Sequence, residues 1–547
     1  MAHKVREGVL VTSPQSKAFP VWQSTCSSEA PHVHFDIYVF DVANPKEAAL
    51  GAKPILVERG PYAYREFSVK HNVTFSADGD TVSYCEQKYF RFDPERSAPG
   101  LRPTDKVTTL SLPFIGLLNN PKMQQLGSWK IPVLKSLLCE VWKNDPEHYG
   151  NQVEFTPFTQ IEVEKLAFGY SQDPLLSVLE RELERIPFHL APHVPTYVQG
   201  LAGVNISSPE ECLRLSDYDT MFTGKSDKNL FGVFKLWRNS EFVYVCPSPK
   251  DDSSIPPACP RKDPSWSEEE LLDNGWVRMW DTNDVAKVKG SDMIRWPLQS
   301  SDSTPLVFLE AIFRHSRIGV EDDRGDFKGV PYIQYGIREQ DLENASIVPE
   351  NAAYYSFGPR SLLNLTQRVG FPFFVSLPHF LRGDSRLRDG VSGLRPDKDL
   401  HSIFVRKNPL AGVSVQVQQA LQLNAFYQNV KFGDTVLDYL QFCTSHQLEQ
   451  WGKSEWDIPY SSDLEGIYFP LLWVNRGFSI TKSQSDLLAT AALLHDHVPL
   501  YVLIGGIVAS ALLVVIAAII WFRNRRPKYP RNKSRDASVS DELFLEA

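Results

Sequence analysis

Apolar and polar positions alternate with period two at three places along this chain, and each alternation predicts β-structure. Val33, Phe35, Ile37 and Val39 alternate with His34, Asp36, Tyr38 and Phe40, the pattern of a strand with one well-buried face. Arg65 to Phe75 and Thr81 to Phe92 alternate on either side of Ala77-Asp78-Gly79-Asp80. Asp-Gly supplies the positive φ that a tight hairpin turn requires, so this pair reads as a hairpin. Val413, Val415, Val417, Leu421 and Leu423 alternate with Ser414, Gln416, Gln418 and Gln422, which reads as a half-exposed strand. Between these the period changes: Lys122 to Lys143 is apolar at helical spacing, and Leu175, Leu179, Leu183 and Ile186 line one face of a helix predicted over 174–186. Residues 246–270 carry five prolines from Pro247 to Pro260 and read as a surface loop. No internal repeat is visible.

One stretch obeys neither period. Val498 to Phe522 contains no charged side chain over 25 residues, and as a helix it rises about 37 Å, enough to cross a bilayer core with some tilt. Arg523, Arg525, Arg526, Lys528, Arg531, Lys533 and Arg535 come directly after it, whereas Leu494-His495-Asp496-His497 before it has no Lys or Arg. The positive-inside rule therefore places residues 523–547 in the cytosol and residues 1–497 outside it, extracellular or lumenal. Met1 to Phe35 has no apolar run that could export that large domain, so an upstream signal or span is expected. Asn72-Val-Thr74, Asn205-Ile-Ser207, Asn344-Ala-Ser346 and Asn364-Leu-Thr366 are N-glycosylation sequons on the predicted outer side; Asn532-Lys-Ser534 lies in the predicted tail and should be silent.

Charge sharpens the picture. The chain has 57 Lys and Arg against 66 Asp and Glu, and because the tail is net basic the remainder is strongly acidic. Nucleic acid and polyanions bound by bulk charge are disfavoured as partners. Catalytic signatures are missing too: His379 could suggest a base, yet no G-x-S-x-G, HExxH or Walker loop accompanies it. His32-Val-His34 puts two imidazoles on one strand face without a visible third ligand, so neither a metal nor another cofactor is expected. Two Arg-Gly-Asp tripeptides, Arg324-Gly325-Asp326 and Arg382-Gly383-Asp384, read as turn chemistry rather than adhesion sites.

Six spaced blocks carry a resemblance: FDIYVFDVANPKEAALGAKPILVERGPYAYREF from Phe35, TVSYCEQKYFRFDPERS from Thr81, KLAFGYSQDPLL from Lys165, LLNLTQRVGFPFFVSLPHFLRGD from Leu362, NPLAGVSVQVQQALQLN from Asn408 and YFPLLWVNRGF from Tyr468. In content and order they resemble the class B scavenger receptor family, the group of the fatty-acid translocase, the high-density-lipoprotein receptor and a lysosomal integral membrane protein. Lys4 to Gln23 resembles the segment just after the first of that family's two spans. The resemblance implies an α+β fold: an antiparallel β-barrel ectodomain, an apical helical bundle at about 115–190, an apolar tunnel, and the C-terminal transmembrane helix. It implies a membrane glycoprotein that binds lipids or lipoproteins and passes fatty acid, sterol or phospholipid to the bilayer. The alternative is an endolysosomal sorting receptor whose apex binds a lumenal protein cargo; Asp541-Glu542-Leu543-Phe544-Leu545-Glu546 half-matches an acidic-leucine signal and leaves plasma membrane and lysosome or endosome open. A homo-oligomer stays open as well.

The chain also departs from the family. It has no cysteine between Cys259 and Cys443, so the family's bridges there cannot form. Cys246 and Cys259 could close the Pro-rich loop, a constraint of about 3 kcal/mol in the loop-entropy account, although two unpaired thiols are an equal reading. The family's GTDG block is here Gly290-Ser291-Asp292-Met293, which predicts a reshaped loop. Asn144 to Glu164 has five acidic residues and no Lys or Arg, against polyanion scavenging, and His148 within it is the candidate for a pH-dependent apical contact.

Overall fold

The computed structural model describes residues 10–26, 30–49, 52–118, 157–171, 197–199, 218–245, 266–294, 304–355, 358–366, 372–409, 411–427 and 466–524. Contacts divide the chain into one large unit, Ala2–Ala489, and a second formed by Met1 with Thr490–Ala547.

Among the described residues of the large unit the dominant element is one antiparallel sheet of 13 strands. They are β1 (His32–Val42), β2 (Leu56–Phe75), β3 (Thr81–Phe92), β4 (Tyr218–Phe222), β5 (Phe234–Leu236), β6 (Leu306–Leu309), β7 (Arg314–Phe327), β8 (Val330–Ile337), β9 (Leu363–Asn364), β10 (Phe373–Ser376), β11 (Phe404–Lys407), β12 (Ser414–Tyr427) and β13 (Ile467–Ser479). The order is β6-β7-β8-β11-β12-β13-β1-β2-β3-β4-β5, with β10 pairing β12 and β9 off the main path. The predicted hairpin is present: β2 and β3 pair from Tyr64↔Phe92 to Phe75↔Val82, and Gly79 at the turn has φ +74°.

The sheet does not close as a ladder among the described residues. Its edges β5 and β6 meet instead at Ser291, which forms isolated bridges to Val233 on one side and Val307 on the other. Phe234 N–H donates to Gly290 O at 3.0 Å and Phe308 N–H to Ser291 O at 2.8 Å. Gly290 has φ +95°, and a Cβ there would lie 2.7 Å from the Leu306 carbonyl, so only glycine fits. The segment expected to be reshaped is therefore a seam.

On β1, Val33, Phe35, Ile37 and Val39 are buried as the pattern predicts, but Asp36 and Phe40 on the other face are buried too. The same correction applies to β12. Gln422, read as facing solvent, is fully buried, as is Asn424 beyond it, because β10 and the turn after it cover that outer face. Polar residues are tolerated there because each is hydrogen-bonded: Gln422 Nε2 donates to Asn424 Oδ1 at 2.8 Å, and Asn424 Nδ2 to Ser376 Oγ at 3.1 Å.

The predicted helices over 122–143 and 174–186 lie outside the described residues. What is described between 157 and 171 is Phe158–Glu162, paired with Lys106–Leu110, then a short helix Val163–Phe168 and a strand Gly169–Ser171 paired with Tyr197–Gln199. The loop read over 246–270 ends earlier than expected, since Ser267 and Glu270 form a capping box that starts the helix Glu268–Asp273. The C-terminal helix runs from Lys482 to Asn524, longer than the predicted 498–522 at its N-terminal end. Its stretch Tyr501–Arg523 is long and apolar enough to cross a membrane.

Candidate functional site

Register assigns the charged side chains of β2, β3 and β13 to the inner face of the sheet, the face carrying Val33 and Phe35, because Glu66 pairs with Val33, Arg476 with Phe35 and Lys70 with Glu86. There they form a buried belt. Arg476 donates through Nε and Nη2 to both oxygens of Glu66, each at 2.6 Å. Glu86 receives Ser68 Oγ at 2.5 Å and the ammonium groups of Lys70 and Lys88 at 3.0 Å, and Lys88 reaches Glu310 at 3.1 Å. Burial alone would raise the carboxyls of Glu66 and Glu86, yet Arg476 beside the first and Lys70 and Lys88 beside the second hold both below the ordinary range. Asp219 forms no ion pair among the described residues, and burial together with Glu310 pushes it up to about 7 despite the more distant Lys88.

Apolar residues flank the belt along each strand. On β3, Val82 and Tyr84 belong to one hydrophobic cluster and Phe90 packs on another; on β13, Phe478 and Leu472 are divided the same way around Arg476. The interior thus holds two hydrophobic clusters with the paired charge between them along β3 and β13, and Leu423 packs against both.

The outer face carries a second polar centre, around His379. Its backbone N–H donates to Gln422 Oε1 at 2.7 Å, and its Nδ1 accepts the Arg395 N–H at 2.9 Å. Nε2 therefore carries the proton and donates to Glu58 Oε2 at 2.5 Å, and Trp473 Nε1 donates to the same oxygen at 2.8 Å. The His401 ring stacks on His379 at 4.4 Å, and Tyr38 stacks on Trp473 at 3.8 Å. Burial, then His379, lowers His401 to about 4. Both ring nitrogens of His379 are engaged and no nucleophile adjoins them among the described residues, so this centre clamps β2, β12, β13 and the turn at 378–380 together. His379 and Phe380 both adopt positive φ, which the clamp holds in place.

Of the residues singled out in the sequence, Asn72 and Asn364 are exposed, and Asn344 is half-buried with Nδ2 donating to Gly358 O at 3.0 Å. His148, Asn205, Cys246 and Cys259 lie outside the described residues. Cys85 is disulfide-bonded, a bridge absent from the sequence reading; Cys26 is free and exposed. His34, on the outer face of β1, is lowered to about 4 by burial and by Arg96 and Arg476. Arg324-Gly325-Asp326 lies within the β7–β8 ladder, and Arg382-Gly383-Asp384 is tied into a turn, with Arg382 donating to Ile337 O and Asp384 held by Arg386. Glu58, Glu66, His401, Trp473 and Arg476 were missed. All but His401 sit inside the resembled blocks, where a charged residue or Trp between apolar neighbours was the available signal.

A largely antiparallel sheet in the large unit and, in the second unit, an apolar helix long enough to span a bilayer are the features of a membrane-anchored domain. Residues 1–521 match the CD36 family, and the chain belongs to it. It is 25% identical over 521 residues to rat scavenger receptor class B member 1, covering 94% of this chain and 82% of that protein. Rat lysosome membrane protein 2 is 23% identical over 517 residues (93% and 87%), and Heliothis virescens sensory neuron membrane protein 2 is 25% identical over 517 (90% and 85%).

Proposed function

We propose that this protein is a two-span membrane glycoprotein that binds lipids or lipoproteins and conducts fatty acid, sterol or phospholipid through its ectodomain to the bilayer. The observation that carries the reading is family membership over residues 1–521, with receptors among the relatives. An acyl or steryl chain leaving water needs continuous apolar surroundings, and the two hydrophobic clusters, joined where Leu423 packs against both, are compatible with such a route. The charged belt between them is neutralised pair by pair, so it can adjoin an apolar path without presenting unpaired charge to it.

The test is lipid retention and transfer. The purified full chain should yield fatty acids, sterols or phospholipids on extraction and mass spectrometry, and its expression should raise cellular uptake of labelled lipid without a matching rise in protein uptake. Relatedness to lysosome membrane protein 2 keeps one second reading, a sorting receptor for a lumenal protein cargo. Lipid-free protein that captures such a cargo in a manner lost on His148→Ala, or between pH 7 and pH 5, would favour it.

A further inference from the structure

A narrow cavity on the inner face, walled by Leu309, Leu377, Ile403 and Leu421, also receives Arg314 and Ser361. Arg314 is 5% exposed and Ser361 2%. The guanidinium forms no ion pair within the described structure: Nη1 donates to Tyr355 Oη at 3.2 Å, Nε donates weakly to His315 O at 3.4 Å, Tyr354 lies 3.7 Å beneath, and Nη2 is left without a hydrogen bond. Ser361 Oγ is buried and likewise without a partner. Asp341 also lines the cavity, but Arg338 engages both its oxygens, at 2.9 and 2.6 Å, and so neutralises it. The cavity therefore carries one uncompensated positive charge and two idle donors in an apolar wall. A buried charge without a counter-charge is strongly unfavourable, and stacking on Tyr354 offsets only part of that.

We propose that this cavity binds a single small monovalent anionic group, with Arg314 Nη2 and Ser361 Oγ as its donors. The free space, about 30 Å³, is roughly that of two waters on a scale where one needs ~10–15 Å³. It suits a chloride ion or one carboxylate and excludes a phosphate. The inference stands apart from the lipid reading, because a free halide fills the site whether or not lipid passes through the domain.

The experiment measures thermal unfolding of the full chain in detergent at fixed ionic strength, with sodium chloride, sodium bromide or sodium gluconate, and separately with octanoate or octanol added to the gluconate buffer. The expected result is a higher midpoint in chloride and bromide than in gluconate, a shift that disappears in Arg314→Met, shrinks in Ser361→Ala and persists in Arg317→Met, whose side chain is exposed. A shift with octanoate but not with octanol or halide, equally lost in Arg314→Met, supports the same site and assigns it to a lipid carboxylate. Equal midpoints in all anions, meaning that water alone fills the cavity, overturn the proposal, as does a halide shift that Arg314→Met leaves intact. If Arg314→Met fails to fold, Ser361→Ala decides: an undiminished shift there overturns the assignment.

Discussion

Replacing Arg476 with methionine tests the charged belt. Glu66 is 2% exposed and takes both its strong hydrogen bonds from Arg476, at 2.6 Å each. Removing one partner of such a pair leaves a buried carboxylate and costs about 3–5 kcal/mol. Lys88 still acts on Glu66 from within the belt, so the lower end, about 3 kcal/mol, is expected at pH 7.5. The loss should depend on pH. Without Arg476, burial raises the folded carboxyl above its unfolded value, so the folded variant takes up a proton that the unfolded chain lacks, and its deficit shrinks as pH falls through the raised pKa. Urea unfolding of the full chain in detergent, measured by tryptophan fluorescence at pH 7.5 and pH 5, reads both effects. The double variant Glu66→Leu/Arg476→Met should lose less than Arg476→Met alone. A loss below about 1 kcal/mol, or one unchanged by pH and by the second substitution, would refute the view that pairing is what makes the belt tolerable.

Gly290→Ala should destabilise by about 2 kcal/mol or more, because its Cβ meets the Leu306 carbonyl at 2.7 Å in a left-handed backbone; a wild-type unfolding midpoint would show that the seam yields freely. His401, lowered to about 4, takes up its proton in the unfolded chain before the folded one, so it contributes a loss of stability as pH drops from 6.5 towards 4, about 2 kcal/mol at pH 5. His401→Phe keeps the stack and should remove that contribution while His34, lowered in the same way, keeps its own, and parallel pH profiles for variant and wild type would count against it. Glycopeptide mass spectrometry should find Asn72, Asn205, Asn344 and Asn364 modified and Asn532 bare; a glycan on Asn532 would invert the topology.

The period-two patterns point to the right strands because inward apolar residues recur regardless of what covers the opposite face. They misjudge that face. Gln422 looks solvated in sequence, and only the long-range arrival of Ser376, Asn424 and the turn at 378–380 around it reveals that it is buried and satisfied. His379 was legible as unusual, but its partners Glu58 and Trp473 lie 321 and 94 residues away and meet it only through the β2 and β13 registers. The Glu66–Arg476 pair was hidden for the same reason, since no local spacing joins residues 410 apart. Arg314 could not be distinguished from any surface arginine until its burial was known.

The strand order also has a consequence for the growing chain. β1 to β5 are made first and pair in succession, whereas the ladder that joins them to the group β6 to β12 is completed only when β13, one of the last described strands synthesised, docks between β1 and β12. Until then the early half shows a naked flank at β1, and its other flank, at β5, waits for residues 290–308. Non-local closure of this kind is slow, and unpaired flanks invite association with other nascent chains. β13, which ends at Ser479, therefore has to be made before the β1 flank is covered, and that flank stays open throughout the synthesis of the strands between.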